Sequence, residues 1–412
     1  MESRTVSTNF MGAKVLRKIF FLERILTMIS SVYIHIPFCH HICHYCDFTK
    51  FFYNEEMAAN YLTALENEMN TAIKGSNNKV KTIFIGGGTP SALTVDQLDK
   101  LMKIIHGKFA VAQCEEFSME ANPGDLTKEK IDLIKSYGVN RISLGVQVFD
   151  NEMLRELGRA HQIKDVYETI NDLKASGFSN ISIDMIYALP KQTVSHFART
   201  LQEALSFHLP HYSAYALQIE PKTIFYNRFR KGQLHRPEQE EEVEMYQVLR
   251  EQMQSHGVRQ YEISNFAKPG FESKHNLTYW NNAYYYGFGA GASGYLPGKR
   301  ITNIKPLPAY IKQSNLDGKP VLRVEKIGLK EQIEEEMFLG MRKTKGVDIA
   351  NFSTKFGISL TELYADQIDY LQQKNWVEVT DGFIRLTNEG MLFGNDVFVQ
   401  FLLDTADLER VY

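Results

Sequence analysis

The sequence predicts an α/β chain: a partly open (β/α)6 barrel followed by a C-terminal helical domain of winged-helix character. Three observations predict it. From residue 31 onward short β-branched runs alternate with longer helical stretches, which signals parallel βαβ units. Polar residues and a glycine run fall within or just past the ends of those runs. After residue 300 the alternation gives way to prolines, then to helices and a hairpin. Length and composition agree. The 412 residues suffice for two or three domains without staples. With 46 basic and 49 acidic residues the net charge is −3, which argues against a generic nucleic-acid binder. A hydrophobic share of 44% with 23% charged residues excludes a disordered chain, and no apolar run of about 18 residues is present to span a membrane.

The N-terminal extension, residues 1–30, stands apart. Val15, Ile19, Leu22, Leu26 and Ile29 share one helical face, with Lys14, Arg17, Lys18 and Arg24 largely off it. Such a segment can lie peripherally on an anionic membrane or act as a targeting peptide. The competing reading makes Met28 the true start and 1–27 a frayed tail.

The barrel is expected over 31–302. Its candidate strands are 31–36, 81–85, 116–120, 141–146, 180–187 and 212–219, with helices at 55–70, 94–107, 126–137, 162–176 and 193–208. Ala58, Leu62, Leu65 and Met69 mark the buried face of the first helix. Glu120, Gln147, Asp184 and Gly86–Gly88 then meet at the carboxyl rim of the strands, where parallel barrels bind ligands. Four separate strand caps would produce the same pattern.

The remaining stretch, 303–412, is expected to form the second domain. Pro306, Pro308 and Pro320 make 303–322 read as a linker or extended wrap. Helices at 329–343, 346–356 and 359–374 precede a hairpin, 376–380 and 383–387, turned at Asp381–Gly382. The wing carries no dense basic stripe, so packing or partner docking is expected rather than nucleic-acid binding.

Only four cysteines occur, and Cys39, Cys43 and Cys46 crowd into the pattern C-x3-C-x2-C. A disulfide framework would spread them, so the chain reads as reduced and cytosolic, with its thiolates serving as metal ligands. Soft sulfur selects zinc, Cu(I) or iron–sulfur clusters. Three thiolates on a [4Fe–4S] cube leave one iron open to a small chelator. Zinc competes, because His35, His40, His41 and His44 flank the cysteines and a Cys3His site is sound chemistry. Cys114 reads as a packed thiol.

The segment YIHIPFCHHICHYCDF (33–48) resembles the signature of the radical S-adenosylmethionine (SAM) superfamily. The segments GGGTP (86–90), EANPG (120–124), GVNRISLGVQVF (138–149), LGRAH (157–161) and IDMIYALPKQT (183–193) extend the likeness in order and spacing. So do the stretch at 261–282 and GFGAGASGY (287–295). The resemblance, which covers about residue 31 to the end, is to the branch containing oxygen-independent coproporphyrinogen III dehydrogenases and the HemW heme chaperones. It implies a [4Fe–4S] cluster on Cys39, Cys43 and Cys46, with SAM on the open iron as the source of a 5′-deoxyadenosyl radical. It further implies SAM contacts from Tyr33, Tyr45, Gly88, Thr89, Glu120, Gln147, Arg159, Asp184 and Gln218, with Arg159 pairing the SAM carboxylate. An electron donor for the cluster is implied as well.

Two places bear on the branch. The dehydrogenases carry a further cysteine two positions past the third ligand, whereas this chain has Phe48, as HemW-type sequences have an aromatic. His275-Asn276-Leu277-Thr278-Tyr279-Trp280 resembles the H-N-x-x-Y-W motif of HemW. That likeness implies heme binding, with His275 as axial ligand and Tyr279 and Trp280 stacking on the porphyrin, and delivery to heme-accepting proteins such as respiratory enzymes. No catalytic residue is assigned. Ser293 stands where related sequences often have histidine in GAGAHGY. The alternatives are a coproporphyrinogen III oxidase and a zinc-stabilised binding module.

Overall fold

The computed structural model describes residues 29–404, so the basic N-terminal segment read as amphipathic lies almost wholly outside it. Six parallel strands form the centre: β1 (Ser31–Ile36), β2 (Thr82–Gly87), β3 (Glu116–Ala121), β4 (Arg141–Gln147), β5 (Asn180–Tyr187) and β6 (His211–Ala216). Beyond β6 lie β8 (Asn265–Ala267), antiparallel to β6, and β7 (Arg259–Glu262), antiparallel to β8. On the other flank β9 (Tyr285–Phe288) pairs parallel to β1, followed by an antiparallel meander of β10 (Ser293–Leu296), β11 (Lys299–Asn303) and β12 (Val321–Lys326). The strand order is β12-β11-β10-β9-β1-β2-β3-β4-β5-β6-β8-β7, and its two ends do not pair with each other. The sheet is therefore open: the six expected parallel strands form its centre, and six further strands flank them.

Each crossover helix starts where its sequence supplies a cap. Asn54, Thr94, Thr127 and Thr193 accept a backbone N–H in the first turn of the helices Glu55–Ala72, Val95–Lys108, Lys128–Ser136 and Val194–Ser206. Thr94 and Gln97 make a reciprocal capping box. The apolar faces of these helices bury Leu62, Leu65, Leu101 and Leu201 against Ile34, Ile83, Ile142 and Ile183 of the strands. Strands covered by helices carry near-continuous apolar runs for this reason.

Two expectations change. The last barrel strand stops at Ala216 rather than continuing to 219, and residues 217–219 enter the rim loop. The proline-rich stretch is no linker. It holds the helix Leu307–Asp317 and leads into β12, so the sheet continues past residue 302 to Lys326. Pro306 caps that helix and Pro308 sits in its first turn, where a missing N–H costs nothing. The helix packs on Glu55–Ala72, where the buried Glu68 carboxylate accepts from the Tyr310 hydroxyl, from Asn303 Nδ2 at 2.6 Å and from the Gly289 amide at 2.9 Å.

β12 ends the sheet, and among the described residues no strand covers its outer side. Its Leu322 and Val324 are 61% and 55% exposed. The C-terminal domain has its own core of Phe352, Leu371, Ile384 and Val397, built by helices from 329 to 373, the strand Phe383–Leu386 and the helix Gly394–Val399. Its small sheet runs β13 (Val347–Asp348), β15 (Phe383–Leu386), β14 (Val377–Thr380). Asp381 and Gly382 both take positive φ, as a two-residue hairpin turn requires. Arg342 docks this domain on the sheet, lying over the Trp280 ring at 4.5 Å with Glu262 at 3.9 Å.

Candidate functional site

The loop after β1 is closed at its base. Phe38–Cys39 pairs with Phe51–Phe52 as a short parallel ladder, reinforced by Phe51 N–H to Pro37 O at 2.7 Å and Tyr53 N–H to Cys39 O at 2.9 Å. Cys39, buried, ends the first strand of that ladder, and the loop between the two strands holds Cys43 and Cys46, both half-buried. His44 anchors its middle: its amide donates to Leu157 O at 2.9 Å and Nδ1 meets Glu156 O at 2.7 Å. Gly158, at φ +74°, permits that contact, since a Cβ there would sit 2.8 Å from His44 Cδ2. The histidines near the cysteines are therefore partly committed. His44 Nδ1 holds backbone, His40 faces Asp125 at 3.3 Å, and His35 is bonded through both ring nitrogens, to Tyr33 Oη at 2.8 Å and Thr49 O at 2.7 Å.

A cavity of about 440 Å³ opens beside the loop. Its lining includes Cys39, Cys43, Tyr45, Cys46, Gly88, Thr89, Glu120, Gln147, Arg159, Asp184 and Gln218. The structure thus brings together the three cysteines and eight of the nine residues expected to touch SAM. Tyr33 is the exception. It lines a neighbouring cleft and stacks on Phe84 at 6.2 Å.

The glycine run serves the loop as well as the cavity. A Cβ on Gly87 would strike the His35 ring, and one on Gly88 would lie 2.9 Å from the Phe38 backbone. These glycines let β2 approach the cysteine loop closely. Thr89 Oγ1 donates to Cys39 Sγ at 3.4 Å and accepts from Asn122 Nδ2 at 3.1 Å. Arg159 reaches Cys43 Sγ with Nη1 at 3.4 Å, while Nη2 donates to Asn122 Oδ1 and Gly145 O, both at 2.6 Å. One edge of the guanidinium is thus held by protein and another is aimed at sulfur. Asn122 was missed as a site residue, although the EANPG motif that contains it was recognised.

Two half-buried carboxylates, Glu120 and Asp184, face the same space. Burial raises Glu120 to about 7, against the lowering effect of the Gly87 amide at 2.9 Å. Burial also raises Asp184, opposed by hydroxyls including Ser143 Oγ at 2.9 and 3.0 Å. Gln147 adopts φ +69° at the register shift that ends β4, a strained backbone for a non-glycine residue and one that places it at the rim. Burial pushes the Tyr45 phenol and the Cys39 thiol up, the latter to about 11.

These residues fit a cube carried on three thiolates. No group of three or more metal-ligating side chains among the described residues is gathered around a single-ion position. A cube is wider than one ion, so its sulfur ligands need not converge on a point. The cavity beside them offers acceptors, a cation and backbone approach for an amino-acid nucleotide. Cys114 takes no part: its Sγ donates to Val80 O at 3.3 Å.

The three residues expected at heme do not face one common space. His275 is 1% exposed, with Nδ1 bonded to Thr82 Oγ1 and Nε2 to Tyr279 Oη, each at 2.8 Å. Burial lowers this imidazole to about 3, and neither nitrogen is open to iron. Its helix, Lys274–Trp280, rests its first amides on Glu116, at 2.8 Å from Lys274 and 3.0 Å from His275. Tyr279 lines the neighbouring cleft. Trp280 lies beneath Arg342, away from both spaces.

Comparison with known proteins accords with this arrangement. Residues 33–204 match the Radical SAM superfamily and residues 327–393 match the HemN C-terminal domain. The heme chaperone HemW of Bacillus subtilis is 48% identical over 90% of this chain and 99% of that protein. HemW of Lactococcus lactis is 44% identical over 91% and 98%. The solved coproporphyrinogen III oxidase HemN of Escherichia coli shares the fold, with a TM-score of 0.79 at 23% identity over 93% of this chain and 92% of that one. The fold is that of a radical SAM protein. Within that superfamily, the chain belongs to the HemW family.

Proposed function

We propose that this chain is a heme chaperone that carries a [4Fe–4S] cluster on Cys39, Cys43 and Cys46, binds SAM in the adjoining cavity, and passes heme to acceptor proteins such as respiratory enzymes. The observation that carries the cofactor reading is that Cys39, Cys43, Cys46, Glu120, Asp184 and Arg159 border a single cavity of about 440 Å³. The close relation to proteins named heme chaperones supports the cargo. When bound, SAM on a reduced cluster supplies a carbon-centred radical, and an electron donor is then required. The protein's own part is to hold and orient. Glu120 and Asp184 offer acceptors to a ribose diol or ammonium, Gly87 and Gly88 admit close backbone approach, and Arg159 complements thiolate charge at Cys43.

Phe48 lies on the cavity wall, at the position where the dehydrogenase pattern has a fourth cysteine. Chaperoning is therefore favoured over decarboxylation of propionates. Among the described residues no helix is long and apolar enough to cross a membrane, so a membrane-bound acceptor would be met from the surface. Anaerobic reconstitution with iron and sulfide, followed by parallel assays for hemin uptake and porphyrinogen conversion, tests the reading. Hemin uptake without protoporphyrinogen formation is expected. Conversion of coproporphyrinogen with SAM and reductant would make the chain an oxidase, and tight zinc without iron would overturn the cluster.

A further inference from the structure

Beside the cluster cavity lies a second cleft of about 360 Å³, and of the residues expected at SAM only Tyr33 lines it. Asp47 and Phe48 of the cysteine loop border both spaces, so the two share a wall. The cleft is aromatic on one side, where the Tyr279 and Tyr285 rings meet edge to face at 4.7 Å. Phe48, 65% exposed, overhangs it from the loop. Its other side is cut back to small residues, Gly291, Ala292 and Ser293. Gly291 takes φ +74°, and a Cβ there would sit 2.5 Å from Thr49 Oγ1, so the backbone itself forms that side. One cation stands on the lining: Lys305, exposed, its stem against Gly291.

We propose that this second cleft receives the tetrapyrrole, with a ring face against Tyr279, Tyr285 and Phe48 and a propionate paired with Lys305. The inference rests on the heme reading above and deepens it by naming where the cargo sits. Aromatic walls beside a slot of small residues suit a broad flat π-system, and a lysine on the lining suits its carboxylate edge. The imidazole on the lining, His35, has both nitrogens engaged by Tyr33 and Thr49. The Tyr33 and Tyr279 hydroxyls are engaged as well, by His35 and His275, and burial raises the Tyr285 phenol, which disfavours the phenolate that iron would take. Recognition here is therefore of the ring and its carboxylates rather than of iron, as suits a cargo that must be handed on. The motif expected to ligate iron through His275 contributes instead through Tyr279, which His275 orients from beneath at 2.8 Å.

The test is a hemin titration of the cluster-reconstituted full chain, followed by Soret absorbance. Lys305→Glu and Ser293→Trp should each weaken hemin binding roughly tenfold, about 1.4 kcal/mol, while the cluster absorbance is retained. Hemin dimethyl ester, which lacks free propionates, should bind wild type and Lys305→Glu alike. Metal-free protoporphyrin IX should bind wild type within a few-fold of hemin. Wild-type binding of hemin that neither substitution weakens would remove the cleft and leave the heme reading standing. A hundredfold loss with the metal-free ring would show that iron ligation, not ring recognition, holds the cargo. Failure of wild type to take up hemin at all would overturn both.

Discussion

One amino group of Arg159 lies 3.4 Å from Cys43 Sγ and the other 2.6 Å from Asn122 Oδ1. Asn122 also donates to Thr89, which donates to Cys39 Sγ. A single amide thus ties the polar partners of two cysteines together. Asn122→Ala should leave the fold intact and reduce cluster retention roughly tenfold, the scale of losses when groups behind metal ligands are removed. A chelator challenge followed in the visible spectrum measures it, and loss rates equal to wild type would show that the amide does not support the ligands.

Cys39→Ala, Cys43→Ala and Cys46→Ala should each abolish the cluster colour of reconstituted protein. Cys114→Ala should not, because that thiol is spent on Val80 O. Iron and sulfide analysis decides the matter, and a full complement in any of the first three would contradict the ligand set.

Gly158 allows two things at once, a left-handed backbone and contact with His44. Gly158→Ala should destabilise the chain by about 1–3 kcal/mol from backbone strain, with a further loss from the His44 clash. Gly232, at φ +65° with nothing near its missing Cβ, supplies the control. Urea midpoints should fall further for Gly158→Ala than for Gly232→Ala, and equal shifts would mean the loop yields to the added methyl.

His275 predicts an acid dependence. Its folded value of about 3 lies below the ordinary 6.5, so between those limits the unfolded chain binds the extra proton. The stability this group contributes is complete above pH 6.5 and is lost as pH falls toward 3, at about 1.4 kcal/mol per pH unit. His275→Gln keeps hydrogen-bonding capacity toward Thr82 and Tyr279 without titrating. Its stability should therefore fall less between pH 7 and pH 5, by roughly 2 kcal/mol. Parallel slopes in urea titrations at the two pH values would show the imidazole to be charged in the folded chain.

The alternation of β-branched runs with helical faces made β1 to β6 legible, because parallel strands covered by helices must be apolar on both sides. The cysteine spacing and the rim carboxylates were legible for a related reason: chemistry at strand ends leaves polar residues where packing alone would not. What the chain does not display is direction. His275 and Trp280 read as ligand and stacking partner, but their side chains turn to Thr82 and to Arg342, contacts about 190 and 60 residues distant in sequence. Pro306 and Pro308 read as breakers because nothing local says that a helix begins there. The glycines after β2 read as room for a ligand, and His35 and Phe38 were the neighbours that needed it.

β12 leaves one flank of the sheet with main-chain donors and acceptors facing outward beside three exposed apolar side chains, Val321, Leu322 and Val324. Such a margin is an invitation to stack, copy upon copy, into insoluble material. Arg323, Glu325 and Lys326 interrupt it and act as gatekeepers. Neutralising those three charges would leave the pocket chemistry untouched yet is expected to lower the soluble yield. That margin, rather than the cysteine-lined cavity, is where crowding at high concentration is expected to act first.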